Sequence, residues 1–254
     1  MICLISPAKT LDFETAVSIK GESIPFFGKK SQELMEKLKE YSPNELQNLL
    51  KVNPKIAYIT HDRFAQWQWP SPKELSKQAL LAFKGEVFRG IDAYSLSQED
   101  MDFAQKHLAI LSGLYGILRP LDHIMPYRIE MGTKWKTHAF KNLYDFWGDD
   151  IHDSLQQLLQ EQKASALINL ASKEYFKVVK ASRLSIPIIT PIFKEFRDGE
   201  LKSITIYAKK ARGLMCRYII QNKIEAPEKL KFFDSEGYYF SEEHSSSEEY
   251  VFVR

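Results

Sequence analysis

The sequence predicts a mixed α/β fold in one large domain, with a mainly helical N-terminal half and a C-terminal half that contains a β-hairpin. Two short apolar runs, residues 2–6 and 164–171, each end in a polar loop, which is typical of buried parallel strands. Asp198-Gly199 separates two strand-like runs and is a strong hairpin signal. A length of 254 residues is compatible with a single domain over residues 1–254.

The N-terminal half begins with a strand and continues mainly as helices. Pro7 ends the strand, so Lys9 lies in the loop at the strand's carboxyl end. Residues 31–40 carry apolar side chains at helical spacing, and Ser42-Pro43 followed by Glu45 is typical of the start of a second helix. We predict two further helices in this half: residues 75–84, and a helix from Ser97 whose buried face carries Ala104, Leu108 and Leu111.

The C-terminal half mixes strands and helices. The buried strand at residues 164–171 runs into the polar segment Ser172-Lys173-Glu174, which places polar side chains at a second strand edge. The other predicted elements are a helix over 149–160, hairpin strands over 186–196 and 201–207, a helix over 208–222, and strands near 238–240 and 250–253.

Composition excludes several classes of protein. The 35 basic and 33 acidic residues give a net charge of +2, so an anion-binding surface has to be local. No apolar run reaches the roughly 18 residues of a membrane helix, and no export signal is evident, so we expect a cytoplasmic protein without a membrane partner. The two cysteines, Cys3 and Cys216, form neither a disulfide framework nor a metal-binding spacing, and we expect no metal or other cofactor.

Three groups of basic residues are the strongest local signals. On the helix over 208–222, an apolar face with Ala211, Leu214, Met215 and Tyr218 leaves the cations on the opposite side: Lys209, Arg212 and Arg217. Lys173, Lys177 and Lys180 recur at helical spacing, and Arg119 and Arg128 flank a proline-containing segment. Several converging cations suit phosphate groups, although a solvated helix face is the alternative.

The loop between Gly113 and Gly116 suggests a second way to bind phosphate. A glycine turn between two helices exposes backbone N–H groups, as in a helix-hairpin-helix DNA contact. The two glycines are three apart rather than the usual two, so a simple helix-ending turn is an equal alternative. The Ser42-Pro43 turn is a rival hairpin without glycine.

Polar residues at the strand edges leave an enzyme possible. Asn169, Ser172, Glu174 and Glu236 form a pocket in this hypothesis, together with Lys9 and Arg212. No nucleophile and base pair follows from spacing, and no common nucleotide-binding or hydrolase motif is present, so we expect a binding protein rather than an enzyme. Acidic residues and a histidine at 149–153 permit a metal site, but acidic residues at a helix start are favoured by the helix dipole alone.

Several long segments together resemble the YaaA family across nearly the whole chain. They are ISPAKTLD at 5–12, LSGLYGILRPLD at 111–122, PYRIEMG at 126–132 and YAKKARG at 207–213, extended by FWGD at 146–149, NLAS at 169–172, EYF at 174–176 and SEG at 235–237.

The resemblance implies a bacterial cytoplasmic protein of the peroxide-stress response that limits free intracellular iron and so hydroxyl-radical damage. It also implies a single-domain DNA-binding fold with a positively charged cleft and a helix-hairpin-helix element. We therefore expect a monomer that binds double-stranded DNA through phosphates, without sequence preference. The residues expected along the cleft are Lys9, Gly113, Gly116, Arg119, Arg128, Lys209, Lys210 and Arg212.

Overall fold

A computed structural model describes residues 1–254 and has mixed α/β architecture. The strands are β1 (Ile2–Ile5), β2 (Thr10–Leu11), β3 (Lys77–Gln78), β4 (Phe83–Lys84), β5 (Leu108–Ser112), β6 (Gly116–Leu118), β7 (His123–Ile124), β8 (Leu167–Leu170), β9 (Ile188–Arg197), β10 (Glu200–Lys202), β11 (Tyr239–Phe240) and β12 (Glu249–Val253). The α-helices are α1 (Gly28–Lys39), α2 (Pro43–Leu50), α3 (Pro54–Gln66), α4 (Ala79–Ala82), α5 (Glu86–Ile91), α6 (Gln98–His107), α7 (Leu143–Trp147), α8 (Asp150–Glu161), α9 (Lys173–Phe176) and α10 (Thr205–Gln221). Short 3-10 turns occupy Lys73–Leu75, Ala93–Ser95, Lys177–Val179, Ala181–Arg183, Pro227–Phe232 and Ser235–Gly237.

The main sheet has eight strands in the order β11-β12-β9-β8-β1-β5-β6, with β10 paired to β9. Its five central strands, from β12 to β5, run parallel. The antiparallel pairs are β11–β12 and β5–β6 at the flanks and the hairpin pair β9–β10. All four residues of β1 are buried, with Leu4 opposite Ala109 of β5 and Asn169 of β8. A parallel strand with neighbours on both sides has no solvated face, which explains the uninterrupted apolar run at residues 2–5.

The direction in which the chain builds the sheet reverses once. From β1 the chain moves to β5 on one side, then crosses back to β8 on the other side of β1, and continues outward to β9 and β12. When the connections of two neighbouring strands run to opposite sides of the sheet, a crevice forms beyond the carboxyl ends of those strands. Ligands of open parallel sheets bind in such crevices. In this protein the crevice lies beyond the ends of β1 and β8.

Most predicted elements of the C-terminal half are confirmed. The strand at 164–171 is β8, the helix at 149–160 is α8, the helix at 208–222 is α10, and Asp198-Gly199 forms the turn between β9 and β10. Both turn residues have positive φ, 53° at Asp198 and 79° at Gly199. The hairpin signal reflects this requirement, because few residue types adopt that backbone region.

Two predictions in the N-terminal half are wrong. Leu108 and Leu111 belong to strand β5 rather than to the preceding helix, which ends at His107. Residues 75–84 form a 3-10 turn, two short strands and one turn of helix. Residues 77–83 and 108–112 are buried throughout, and a short buried run of this kind fits a strand as well as a helix.

The helix-hairpin-helix interpretation of Gly113 and Gly116 is also wrong. These glycines bound the turn between antiparallel strands β5 and β6, and both are buried. Gly116 has a φ of 70°, and a Cβ there would lie 2.9 Å from the Trp147 ring. Ser42-Pro43 does join two helices, through a capping box with Glu45.

Helices α5 and α10 approach each other at two glycines. A Cβ on Gly213 would lie 1.9 Å from the carbonyl oxygen of Val87, and a Cβ on Gly90 would lie 2.3 Å from the carbonyl oxygen of Lys210. These distances are far below van der Waals contact, so the two backbones touch only because neither residue has a side chain. This contact fixes α10 against the rest of the molecule.

We expect Gly213→Ala to lower the free energy of unfolding by roughly 3 kcal/mol, at the upper end for an overpacked core. Alanine normally stabilises a helix interior relative to glycine, so the sign of the change identifies the contact. Urea unfolding measures it, with Gln221→Ala, an exposed change on the same helix, as the control that stays within about 0.5 kcal/mol. Equal stability of Gly213→Ala and the unmodified protein would contradict the close approach.

Candidate functional site

A crevice of about 480 Å³ lies beyond the carboxyl ends of β1 and β8, where the winding of the sheet reverses. Its floor is formed by the residues that follow these two strands. The segment after β1 contributes residues 6–10, and the segment after β8 contributes Ser172 together with Glu174 and Tyr175 of α9. The lining of the crevice therefore combines distant parts of the sequence, joined by strand pairing.

Two serines connect the strand ends. Ser6 Oγ accepts a hydrogen bond from the backbone N–H of Ser172 at 2.8 Å and donates to Ser172 Oγ at 3.2 Å. Each serine is the first polar side chain after the end of a fully buried strand. The hydroxyl groups therefore lie at the floor of the crevice, in contact with each other.

One wall is the extended segment 127–130, which crosses the end of β5. A Cβ on Gly113 would lie 2.6 Å from the carbonyl oxygen of Ile129, so the segment packs directly on the β5–β6 turn. The hydroxyl groups of Tyr127 and Ser112 form a hydrogen bond of 2.7 Å. Burial raises the pKa of the Tyr127 hydroxyl, and that group is therefore neutral at physiological pH.

The opposite walls come from the β2–β4 ribbon, from α5 and from α10. Thr10 pairs with Lys84 across the ribbon, and the glycine contact between α5 and α10 holds the first turns of α10 beside them. Lys209 and Arg212 line the crevice from α10. The sequence prediction that these cations lie outside the apolar face of the helix is confirmed, but Arg212 is partly buried rather than freely solvated.

Five cations and three carboxylates line the crevice, an excess of two positive charges: Lys9, Lys84, Arg128, Lys209 and Arg212 against Glu86, Glu130 and Glu174. Some of these charges are satisfied within the protein. Lys9 pairs with Glu130 at 2.7 Å, and Glu86 pairs with Arg89 at 2.9 Å. Glu174 accepts a hydrogen bond from the backbone N–H of Gly132 at 2.8 Å, which holds its carboxylate at the rim.

Two arginines of the crevice have no acidic partner. The side chain of Arg212 forms no hydrogen bond or ion pair within the protein, and burial lowers the pKa of its guanidinium group. The Nε atom of Arg128 is shielded from solvent and finds no acceptor. A buried donor without an acceptor costs about 1–3 kcal/mol, more when charged. This cost is not offset by any contact within the protein.

Arg63, on α3, extends this positive region. It lines a neighbouring cavity of about 310 Å³ that also includes Met125 and Pro126, and no carboxylate pairs with it. Burial and the nearby charge of Arg128 lower the pKa of its guanidinium group. Sequence inspection missed Arg63, because nothing near it in the sequence indicates that the 125–128 segment packs beside α3.

The predicted pocket residues are divided between two places. Ser172 and Glu174 line the crevice, whereas Asn169 is buried in β8, where its amide donates to Thr190 Oγ1 at 3.4 Å and accepts from the Ala171 N–H at 3.1 Å. Glu236 lies outside the crevice and bridges Lys210 and Arg254. The ion pair with Lys210 is the main cause of the lowered pKa of Glu236.

The residues expected along a basic cleft are divided in the same way. Lys9, Arg128, Lys209 and Arg212 come together, but Lys210 pairs with Glu236 and Arg119 pairs with Asp122 at 2.9 Å. Arg119 also stacks over the Phe26 ring, 4.3 Å from its centroid. Gly113 and Gly116 offer no backbone surface to a phosphate, because their turn is buried.

The acidic residues at the start of α8 bind cations of the protein itself. Asp149 pairs with Lys180 at 2.6 Å and with Arg183, while Asp150 pairs with Lys30. His152 is buried, and its Nδ1 lies 2.9 Å from the carbonyl oxygen of Val179. No group of three or more His, Cys, Asp or Glu residues converges anywhere in the structure to hold a metal ion.

None of the helices is long and apolar enough to cross a membrane.

Known proteins match this chain over nearly its whole length. A family model described as peroxide stress protein YaaA matches residues 1–244. A UPF0246 protein from Ralstonia nicotianae is 48% identical over 254 residues, covering 100% of this chain and 99% of the relative. UPF0246 proteins from Aliivibrio fischeri and Janthinobacterium are 48% and 46% identical, each over 100% of this chain and 98% of the relative. The chain therefore belongs to the peroxide stress protein YaaA family, whose members also carry the name UPF0246.

Proposed function

We propose that this protein acts in the response to peroxide by binding double-stranded DNA through phosphates, with little dependence on base sequence. The observation that carries the proposal is the unpaired positive charge of Arg128, Lys209 and Arg212 around one crevice. Phosphate contacts position a protein on DNA without reading bases. In this proposal the protein is a cytoplasmic monomer.

The family also suggests a role in limiting free intracellular iron, and with it hydroxyl-radical damage to DNA. This part of the proposal has no ligand set of its own in the fold, so its physical basis would be occupation of DNA rather than storage of iron. Measuring chelatable iron in peroxide-treated cells with the unmodified protein and with a DNA-binding-deficient variant tests it. Equal levels of chelatable iron with both proteins would separate the iron effect from DNA binding.

An enzyme acting on a nucleotide or nucleic acid is the second candidate. The feature that favours it is the position of the crevice at the reversal of a parallel sheet, with the Ser6–Ser172 pair and Glu174 within it. Incubation with nucleotides and short oligonucleotides, followed by mass spectrometry, distinguishes the two. A turned-over product would favour the enzyme, and unchanged ligands that remain bound would favour the binding protein.

Anion binding would account for the presence of Arg212 in the crevice, where it lowers the stability of the protein alone. A partly buried guanidinium without an acceptor is unfavourable in the protein alone, and the cost is recovered when an anion binds. The same reasoning applies to Arg128, whose Nε atom has no acceptor. The energetic cost of both arginines is therefore measurable in the absence of DNA.

We expect Arg212→Met to raise the free energy of unfolding by roughly 1 kcal/mol, because an apolar chain of similar length removes an uncompensated buried charge. Urea unfolding measures the change. Sulfate should stabilise the unmodified protein more than the variant, since it binds the folded state at the arginine. Lys55→Met, at an exposed lysine of α3, is the control and should change stability by less than about 0.5 kcal/mol. A loss of stability in Arg212→Met would show that the guanidinium is satisfied.

We expect the double substitution Lys209→Gln and Arg212→Gln to weaken DNA binding and to flatten its salt dependence. Each lost phosphate contact reduces the slope of log affinity against log salt by roughly 0.9, so the pair reduces it by about two. Fluorescence anisotropy with one duplex at several salt concentrations measures the slope. The matched control is Lys55→Gln with Lys106→Gln, two exposed lysines outside the crevice. An unchanged slope in the crevice variant would remove α10 from the DNA-binding surface.

A further inference from the structure

We propose that the crevice binds the terminal phosphate monoester of a nucleotide, at the end of a nucleic-acid strand or on a free nucleotide, through the guanidinium groups of Arg128 and Arg212. The inference rests on the proposed function in that it names which phosphate enters the site. It differs from binding along the side of a duplex, where every phosphate is an internal diester.

The size of the crevice selects a strand end. Its volume of about 480 Å³ lies within the range of roughly 300–1,000 Å³ that is typical of small-molecule sites. A space of that size admits about one nucleotide. A DNA duplex does not fit, because its major groove alone is ~12 Å wide. Internal phosphates of a duplex therefore stay at the rim, near the exposed Lys209, and only a terminal group reaches the floor.

The charge of the crevice selects a dianion. Lys9 pairs with Glu130, Glu86 pairs with Arg89, and Lys84 lies 3.9 Å from Asp12. The lining then keeps Arg128, Lys209 and Arg212 against Glu174, an excess of two positive charges. An internal phosphodiester carries one negative charge, whereas a phosphate monoester carries about 1.5 to 2 at pH 7 because its second pKa is about 6. A terminal monoester therefore neutralises the excess, and an internal phosphate leaves part of it uncompensated.

The donors in the crevice suit a phosphate with three terminal oxygens. Guanidinium groups donate pairs of parallel hydrogen bonds to phosphate oxygens. Arg128 and Arg212 are the two arginines of the crevice, and neither has an acidic partner. The Ser172 hydroxyl adds a further donor at the floor, because it accepts from Ser6 and keeps its own hydrogen for a ligand. Arg63 adds positive potential, because its guanidinium group is close enough to Arg128 for the two charges to interact.

The test compares single strands of one sequence that differ only at their ends: 5′-phosphate, 3′-phosphate and hydroxyl. We expect one phosphorylated end to bind about tenfold more tightly or better, since hydrogen bonds to charged groups contribute roughly 1.5–3 kcal/mol each. The preference should decrease as the pH falls from 7 to 5, because the monoester gains a proton near pH ~6 and loses its second charge. Arg128→Gln and Arg212→Gln should each reduce the preference, and Lys55→Gln should keep it.

The same experiment separates the two sources of the phosphate and the two proposals. Competition by a nucleoside 5′-monophosphate at concentrations similar to those of the strand identifies a free nucleotide as ligand, and weak competition identifies the strand end. Equal binding of all three strands, without competition, would overturn the inference and leave DNA binding intact. Binding of the mononucleotide with no binding of any strand or duplex would overturn DNA binding and keep the monoester site. Because the strands are compared on the unmodified protein, the result does not depend on the folding of a variant.

Discussion

The contact between Gly90 and Gly213 is the constraint on which the site depends. It lets two helix backbones touch, with the Val87 carbonyl group in the space where a side chain of residue 213 would lie. Helix α10 thereby lies close enough to the ends of β1 and β8 for its first turns to form a wall of the crevice. A wider separation would move Lys209 and Arg212 away from the serines at the floor, and the cations would no longer converge with Arg128.

The crevice keeps charges that do not stabilise the folded chain by themselves. Several cations outside the crevice are paired: Lys210 with Glu236, Arg119 with Asp122, and Arg254 with Glu195 at 2.9 Å. Natural proteins tolerate an unfavourable local arrangement mainly where function requires it. Two partly buried arginines without an acidic partner, Arg128 and Arg212, therefore favour the crevice as a candidate binding site more clearly than its net charge does.

The sequence predicts much of the fold, because strands β1 and β8, the β9–β10 hairpin and helices α8 and α10 have strong local patterns. It fails at Leu108–Ser112, where the side chains are buried on every side and the apolar run fits a strand or a helix equally. The same limit explains the wrong interpretation of Gly113 and Gly116. Glycines predict a tight turn correctly, but the kind of element on either side depends on pairing with β1, which lies more than a hundred residues earlier.

The sequence predicts the candidate site only where a short stretch of residues indicates the end of a strand or the face of a helix. Lys9 and Ser172 were found because each follows a buried strand, and the parallel pairing of β1 with β8 brings the two edges together. Whether a given cation has an acidic partner depends instead on contacts between distant parts of the chain. Lys209 and Lys210 are neighbours in sequence with the same side chain, but a step of about 100° around the helix turns one toward the crevice and the other toward Glu236. That outcome depends on how the C-terminal strands place Glu236 and Arg254 beside α10, and no spacing within the helix encodes it.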